Sequence, residues 1–172
     1  QTCALPICAP TYDVYAAGDH DGNFYLWGAM GGAALVGFGL ARAKPDRPVL
    51  VVTGDGEALM GLGGLATIGV AAPKNLTVVV LDNGEYGETG RQRSHTGHGL
   101  DLCAVARGCG WSAKALPSLS DVAQFGRGLS ATNGLTFAVI PISSENPPRA
   151  LPARDAVYLK NRFRAHLGLS VS

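Results

Sequence analysis

The stretch "TGDGEALMGLGGLATIGVAAPKNLTVVVLDNGEYG", residues 53–87, carries the pattern that decides the fold. It starts at the end of one apolar run, passes through a glycine-rich segment with helical spacing, and enters a second apolar run. Short β-branched runs joined by a helix are typical of parallel strands buried on both faces. The stretch therefore predicts a β–α–β unit, with Asp55 and Asn83 at the ends of its two strands.

The same alternation continues on both sides of this unit. Helices are predicted over residues 31–44, 57–72, 100–110, 120–131 and 153–168, and strands over residues 47–56, 75–83, 111–116 and 135–143. Strands that alternate with helices predict an α/β fold, a three-layer doubly wound architecture with a mostly parallel sheet and helices on both faces.

One domain is predicted over residues 8–150, and we expect it to be truncated at its N-terminus. A short segment lies on each side of this domain. Residues 1–7, QTCALPI, are what the codons of a sequencing adapter would encode, so they are left out of the predicted fold. Residues 151–172 are predicted to form a C-terminal helix and tail. The apolar stripe of that helix packs on its own domain or on a neighbouring chain or domain, and the stripe consists of Ala156, Leu159, Phe163 and Leu167.

Composition excludes several classes of function. The chain has 172 residues, of which 47% are hydrophobic and 16% charged, and its formal net charge is +1. Such a balance, without a Lys/Arg run, predicts no nucleic-acid partner and no anionic membrane surface. No uncharged apolar stretch reaches the roughly 20 residues of a membrane span. Four cysteines without a Cys-x-x-Cys pair predict reduced thiols and a cytoplasmic protein.

The polar residues at the two strand ends suit a metal ion with a phosphate ligand. The Asp55 carboxylate and the Asn83 amide are oxygen ligands, and a carbonyl of the turn at Glu85 offers a third, a set that fits Mg²⁺. Gly56 lets the backbone come close, and the helix start near Glu57 offers N–H groups to an anion. Although each motif alone is a common turn signature, the pair predicts a site for a metal and a diphosphate.

The spacing of these motifs resembles that of thiamine diphosphate enzymes. Gly54-Asp55-Gly56 followed by Asn83 is similar to the metal and diphosphate motif of their diphosphate-binding domain, and "LWGAMG", residues 26–31, is similar to the segment upstream of it in 2-oxo-acid decarboxylases. The resemblance runs from about residue 18 to residue 142. The segments "NFYLWGAMGGAALVGFGLA" and "LATIGVAAPKNLTVVVLDNGEYGETG" look most like the sulfopyruvate and phosphonopyruvate decarboxylase group.

The resemblance implies a role for each matching position. Mg²⁺ would be bound by the side chains of Asp55 and Asn83 and the carbonyl of Glu85, while Met30 would support the bent cofactor from below. Asp82 departs from the family pattern, since many relatives have a second Asn there. The residues implied in cofactor binding are Gly28, Ala29, Met30, Gly54, Asp55, Gly56, Glu57, Ala58, Asn83, Glu85, Tyr86 and Gly87.

The resemblance also implies an activity and a partner. A bound cofactor would allow decarboxylation of a 2-oxo acid with release of CO2 and an aldehyde. The family's key glutamate lies on a separate pyrimidine-binding domain, so this chain is expected to be half of an active site. Its partner would be a fused domain or an α subunit in a hetero- or homo-oligomer, and the chain alone would be inactive.

The loop after the predicted metal-binding turn, residues 83–85, carries candidate substrate residues. Substrates of the resembled group have an extra anion, which Arg91 and Arg93 could bind, although the loop could equally be a solvated polar segment. His95 is a speculative proton-transfer residue. A zinc pair formed by His95 and His98 lacks evident partner ligands.

Three other hypotheses about function stay open from the sequence. An acetolactate synthase-like carboligase shares every cofactor residue named above. A nicotinamide dehydrogenase is suggested by Gly-x-Gly-x-x-Ala at residues 61–66 with Asp82 downstream, but that motif should open directly after a strand. A non-catalytic subunit would keep the fold and bind no cofactor.

Overall fold

A computed structural model describes residues 2–129, 134–145 and 147–170. Strands and helices alternate along most of the chain, as the sequence predicts. In chain order the elements are β1 Cys3–Pro6, α1 Ala9–Ala17, α2 Ala33–Ala43, β2 Val49–Gly54, α3 Asp55–Met60, α4 Leu62–Ala71, β3 Leu76–Asp82, β4 Glu85–Tyr86, β5 Gln92–Arg93, a 3₁₀ turn Thr96–His98, α5 Leu102–Gly108, β6 Ser112–Ala115, α6 Leu119–Arg127, β7 Thr136–Pro141 and α7 Ala156–His166.

The main sheet has the strand order β1-β2-β3-β7-β6, and every pairing in it is parallel. In the register of β2 and β3, Gly54 lies opposite Leu81. Asp55 and Asn83 therefore follow the ends of two hydrogen-bonded neighbours, which confirms the predicted placement of these residues. A separate antiparallel pair of β4 and β5 forms the loop beyond that edge of the sheet.

Helices cover both faces of the sheet, as expected of the predicted fold. Because successive strand side chains point to opposite faces, Val78 and Val80 enter the core beneath α2, α4 and α5, whereas Val79 packs towards α6. On that second face Val79 shares a cluster with Val122 and Phe125 of α6. Burial of β3 on both sides explains its unbroken apolar sequence.

The predicted helix over residues 57–72 is two helices in the structure, α3 and α4, that meet at Gly61. The junction presses against the turn before α2. A Cβ added at Gly61 would lie 2.2 Å from the carbonyl oxygen of Gly31. A side chain is excluded at this close approach.

The N-terminal residues take part in the sheet, although the sequence analysis left residues 1–7 out of the fold. β1 pairs with the free edge of β2, and four residues of the segment are buried: Cys3, Leu5, Pro6 and Ile7. The segment therefore belongs to the packed part of the fold. Gln1 lies outside the described residues, and the adapter origin of the segment stays a prediction.

The C-terminal helix α7 packs on its own domain. Phe163 and Leu167 join Cys3 in a cluster that also contacts Phe24 and Leu40. Ala156, which the sequence analysis placed on the buried stripe, is exposed. It is the first residue of the helix, and its N-cap Asp155 accepts hydrogen bonds from the backbone N–H groups of the next turn.

The four cysteines are free thiols, as the sequence predicts. Within residues 2–129, 134–145 and 147–170, we find no helix with the length and apolar character needed to cross a bilayer.

Candidate active site

A cleft of about 340 Å³ opens at the carboxyl ends of β2 and β3. A larger cavity of about 560 Å³ lies beside α6 at the other ends of β3 and β7, but parallel α/β sheets bind ligands at the carboxyl edge. Ala29 and Ala58 pack against the hydrophobic core instead of lining the cleft. The other predicted cofactor residues all line it: Gly28, Met30, Gly54, Asp55, Gly56, Glu57, Asn83, Glu85, Tyr86 and Gly87.

Asp55 is a buried carboxylate, 2% exposed, at the floor of this cleft. Its Oδ2 accepts hydrogen bonds from the hydroxyls of Ser94 and Thr96, the latter at 3.1 Å. Burial raises the pKa of Asp55 above its usual value; the hydrogen bond from Ser94 opposes this shift and the negative charge of Asp82 adds to it. Among the described residues no cation pairs with this carboxylate.

The turn after β3 is held by two side chains that bond to its own backbone. Asp82 Oδ1 accepts from the N–H of Gly84 at 3.0 Å, and Asn83 Oδ1 accepts from the N–H of Glu85 at 3.0 Å. Gly84 has a φ of +70°, a conformation that favours glycine. An amide oxygen has two lone pairs, so Asn83 Oδ1 can shape this turn and still bind a metal ion.

Glu57 has a structural role that the sequence analysis did not anticipate. Its side chain is 3% exposed. Oε1 accepts from the N–H of Ala33 at 2.9 Å, and Oε2 accepts from the hydroxyl of Thr53 at 2.6 Å. The carboxylate thus caps the first turn of α2, where negative charge is favourable, and the backbone N–H of Glu57 is the group that remains for an anion.

Gly56 leaves room for an aromatic neighbour. A Cβ at this position would lie 2.6 Å from Cδ1 of Tyr86, so the ring packs directly on the start of α3. The ring thus brings the two segments predicted to hold a diphosphate, α3 and the β4 turn, against each other.

Met30 projects into the cleft from the opposite wall, and 42% of its surface is exposed. Gly28, two residues earlier, has a φ of +66°. Cys8 donates a hydrogen bond from Sγ to Met30 Sδ, and burial, followed by the charges of Glu57 and Glu88, raises the pKa of this thiol to about 11. Cys8 is therefore a neutral thiol that supports Met30.

Part of the cleft wall was missed by the sequence analysis. Tyr12 and Trp27 line it with ring centroids 6.2 Å apart. The guanidinium of Arg149 lies 5.0 Å from the Tyr12 ring and forms an ion pair with Glu88 at 3.0 Å. Tyr12 belongs to α1, whose start is marked by Pro10 in the first turn, a signal that could have revealed this helix.

The basic residues predicted for substrate do not line the cleft. Arg91 forms an ion pair with Glu85 at 2.9 Å and donates to the carbonyl of Ser144 at 2.9 Å. Arg93 and His95 are exposed, and so is His98. Their roles towards an anion, a proton or zinc stay predictions. In the part of the chain that the structure describes, no group of three or more His, Cys, Asp or Glu is placed to hold a metal.

Two of the glycines in residues 61–66, Gly61 and Gly64, are required by close packing, whereas a Cβ at Gly63 would meet nothing within 4 Å. The segment follows α3 and does not open directly after β2, which is the placement that a dinucleotide fingerprint requires. A Cβ at Gly64 would lie 3.1 Å from the side chain of Leu35 in α2. Close contact between α2 and α4 thus explains glycine at position 64.

Comparison with known proteins gives consistent matches. Residues 15–140 match the family model "Thiamine pyrophosphate enzyme, C-terminal TPP binding domain". A phosphonopyruvate decarboxylase of Streptomyces hygroscopicus is 48% identical over 131 residues, which cover 76% of this chain and 32% of that protein. A sulfopyruvate decarboxylase subunit beta of Methanothermobacter thermautotrophicus is 36% identical over 154 residues, which cover 90% of this chain and 80% of that protein.

A solved structure shares the fold. Benzoylformate decarboxylase from Polynucleobacter necessarius superposes with a TM-score of 0.63 at 23% identity, covering 84% of this chain and 31% of that one. The chain thus spans about a third of the Streptomyces relative, 32% of its length.

Proposed function

The chain belongs to the thiamine pyrophosphate enzymes and carries their C-terminal TPP binding domain, and on this premise we propose that it is the thiamine diphosphate- and Mg²⁺-binding half of a 2-oxo-acid decarboxylase. The observation that carries the proposal is the placement of Asp55 and Asn83 in one cleft, after the ends of two neighbouring strands. Both side chains offer hard oxygen ligands.

The charge of the cleft supports a divalent cation. Among its lining residues there is no Lys, Arg or His. Two of its acidic residues, Glu85 and Glu88, are paired with Arg91 and Arg149 from outside the lining. The other three, Asp13, Asp55 and Glu57, have no ion-pair partner among the described residues. A diphosphate brought into these surroundings alone would be repelled. A metal ion that binds both the carboxylate and the phosphate oxygens removes the repulsion, and Mg²⁺ prefers such mixed shells.

Each wall of the cleft has a proposed task. Asp55 Oδ1, Asn83 Oδ1 and the carbonyl of Glu85 would hold Mg²⁺, and Met30 would pack beneath the cofactor. Backbone N–H groups of Gly56, Glu57, Tyr86 and Gly87 would donate to diphosphate oxygens. The contact of Tyr86 with Gly56 brings these donors together. When bound, thiamine diphosphate supplies the electron sink that decarboxylation of a 2-oxo acid needs.

The names of the relatives guide the proposed substrate. Sulfopyruvate and phosphonopyruvate are 2-oxo acids with a second anionic group, and we propose a small substrate of that class, released as CO2 and an aldehyde. Product analysis tests this choice: an aldehyde is expected, and an acetohydroxy acid would indicate a carboligase instead.

A second polypeptide or domain completes the proposed enzyme. The relative from Methanothermobacter thermautotrophicus is named as a beta subunit, so we propose a pyrimidine-binding domain or α subunit that supplies the activating glutamate in an oligomer. The cytoplasm is the proposed compartment, because all four thiols are free. The chain alone is expected to show no decarboxylation.

Titration calorimetry of the intact chain tests the cofactor directly. Thiamine diphosphate should bind in the presence of Mg²⁺ and should not bind measurably when EDTA replaces the metal. NAD⁺ in the same cell should give no heat of binding. Equal binding of thiamine diphosphate with and without metal would contradict the proposed site.

A further inference from the structure

Two hydroxyl residues outside the predicted motifs reach the floor of the cleft. Ser94 follows β5 and is fully buried, and Thr96 begins the 3₁₀ turn. We call this pair the hydroxyl clamp. Both side chains bond to Oδ2 of Asp55, although they lie 39 and 41 residues away in the chain. Their position depends on the path of the β4–β5 loop back to the end of β2.

The clamp joins two carboxylates. Thr96 Oγ1 lies 2.7 Å from Asp82 Oδ1, 3.1 Å from Asp55 Oδ2 and 2.8 Å from Ser94 Oγ. Each hydroxyl carries one proton. The Ser94 proton goes to Asp55, and the Thr96 proton is shared between Asp82 Oδ1 and Asp55 Oδ2, with the shorter contact to Asp82. Through these two contacts Thr96 joins the residue after β2, Asp55, to the end of β3 at Asp82.

Backbone contacts fix the hydroxyl clamp to the turn after β3. The N–H of Ser94 donates to the carbonyl of Gly84 at 2.9 Å. A Cβ at Gly97 would lie 2.4 Å from the same carbonyl oxygen, so the 3₁₀ turn packs directly on the turn after β3. The segment that carries Asn83 and Glu85 therefore has the clamp as its support.

The two side-chain hydrogen bonds to Asp55 both fall on Oδ2. Within the described residues, Oδ1 receives no hydroxyl donor, and Asp55 lines the same cleft as Asn83. A carboxylate fixed through one oxygen presents the other in a defined direction, as supporting hydrogen bonds do for metal ligands generally.

We propose that Ser94 and Thr96 are positioning residues that hold Asp55 through Oδ2, so that Oδ1 is directed at a divalent cation, and that Thr96 also sets the distance between Asp55 and the turn that carries Asn83. The proposal rests on the proposed function, since it concerns the same metal site. It adds two residues that neither the motif nor the family resemblance identifies.

Manganese affinity, measured by electron paramagnetic resonance on the intact chain with saturating thiamine diphosphate, tests the clamp. Thr96→Val keeps the shape of the side chain and removes its hydroxyl, and it should weaken Mn²⁺ binding about tenfold or more, as loss of supporting hydrogen bonds does elsewhere. Thr96→Ser keeps the hydroxyl and should stay within about twofold of the wild type. Thr136→Val is the matched control, because Thr136 lies at the far end of β7 and its hydroxyl contacts the carbonyl of Gly134.

The outcomes separate the clamp from the cofactor site itself. If the wild type takes up Mn²⁺ and Thr96→Val binds it equally well, the proposed role of the hydroxyl clamp is wrong and the proposed function stands. The same conclusion follows if Thr96→Ser binds as weakly as Thr96→Val. If the wild type takes up no Mn²⁺, both proposals fall. Should Thr96→Val fail to fold, Ser94→Ala is judged by the same tenfold criterion.

Discussion

Two carboxylates in this molecule have opposite surroundings. Asp19 lies in the segment between α1 and α2, where that segment contacts α7. We call this contact the α7 seam. Asp19 forms an ion pair there with Arg162 at 2.6 Å and accepts a hydrogen bond from the hydroxyl of Tyr25 at 2.7 Å. Partial burial acts to raise the pKa of Asp19, but the hydrogen bonds from Arg162 and Tyr25 outweigh it, so the pKa lies below its usual value. Asp55 in the cleft has hydroxyl partners and a raised pKa.

The difference shows which charge serves the fold and which one is available to a ligand. At the α7 seam a cation of the chain itself neutralises the carboxylate, and the pair holds the last helix in place. In the cleft the charge of Asp55 is buried without a cation among the described residues. Buried charge of this kind destabilises the apo fold and is a common property of functional sites.

The largest expected effect follows from Asp55→Asn, which keeps the side-chain shape and removes the charge. Binding of thiamine diphosphate with Mg²⁺ should weaken by at least about 100-fold, which corresponds to roughly 3 kcal/mol. The metal-free variant should be no less stable than the wild type, because a buried uncompensated charge has been removed. Calorimetry gives the affinity and urea unfolding the stability. If this variant bound thiamine diphosphate and Mg²⁺ as tightly as the wild type, the charge of Asp55 would not serve a ligand, and the contrast with Asp19 would be contradicted.

Arg162→Met is the corresponding change at the α7 seam and should act on stability alone. Breaking a buried ion pair costs about 3–5 kcal/mol, but 36% of the Asp19 side chain is exposed, so solvent screening reduces the expected loss to about 2 kcal/mol. Urea unfolding measures it. Cofactor affinity of the folded variant should match that of the wild type.

Arg164→Met is the control for this change. Arg164 lies in the same helix, and its guanidinium bonds locally to the carbonyl of Ser170. Its loss should change stability by less than about 0.5 kcal/mol. An equal loss in both variants would mean that the ion pair of the α7 seam has no special role.

The pH dependence of stability should have opposite signs at the two sites in metal-free protein. The folded pKa of Asp19 is lowered, so its contribution is present above the unfolded pKa of about 3.9 and is lost as the pH falls through the folded value. The folded pKa of Asp55 is raised, so its charge costs stability at neutral pH. That cost begins to shrink as the pH falls through the folded pKa and is gone below the unfolded pKa of about 3.9.

Urea unfolding at pH 7, 5 and 3 of the wild type, Asp19→Asn and Asp55→Asn tests these signs. At pH 7 we expect Asp19→Asn to be less stable than the wild type and Asp55→Asn to be more stable. Both differences should shrink towards pH 3, with that of Asp55→Asn shrinking first. Differences of the same sign would contradict the comparison.

A pair of glycines gives the smallest expected effects. Gly56→Ala would place a Cβ 2.6 Å from the Tyr86 ring in the cleft. Gly22→Ala would place one at the α7 seam, 2.9 Å from Nδ1 of His20, 3.0 Å from Nε2 of His166 and 3.2 Å from the backbone carbonyl of Thr2. Since the nearest neighbours in both cases are side chains that can shift, each substitution should cost about 1 kcal/mol of free energy. We expect the first variant to lose cofactor affinity by a few-fold and the second to lose stability. The reverse pattern, found by calorimetry and urea unfolding, would be inconsistent with the assignment of the two regions.

The sequence was sufficient for those features that depend on local pattern. The apolar run of β3 and the turn residues at its end predict both the strand and the place of Asn83, because a parallel strand buried on both faces needs such a run. The break at Gly61 was not predicted, since it depends on the approach of Gly31, which no local pattern records.

Contacts between distant segments could not be predicted in the same way. The hydroxyls of Ser94 and Thr96 reach Asp55 through the folding of a loop, and a single Ser or Thr in a polar loop carries no periodic signal. The side chain of Glu57 was unpredictable for a similar reason, since its partner Ala33 lies 24 residues away on another helix.

Anomalous diffraction from crystals grown with thiamine diphosphate and Mn²⁺ tests most directly whether a divalent cation binds between the ends of β2 and β3. We predict one manganese peak between Asp55 and Asn83, within about 2.0–2.3 Å of Oδ1 of each residue, with diphosphate density beside it. A manganese peak elsewhere, or diphosphate bound in the cleft with no metal at these two residues, would contradict the central claim.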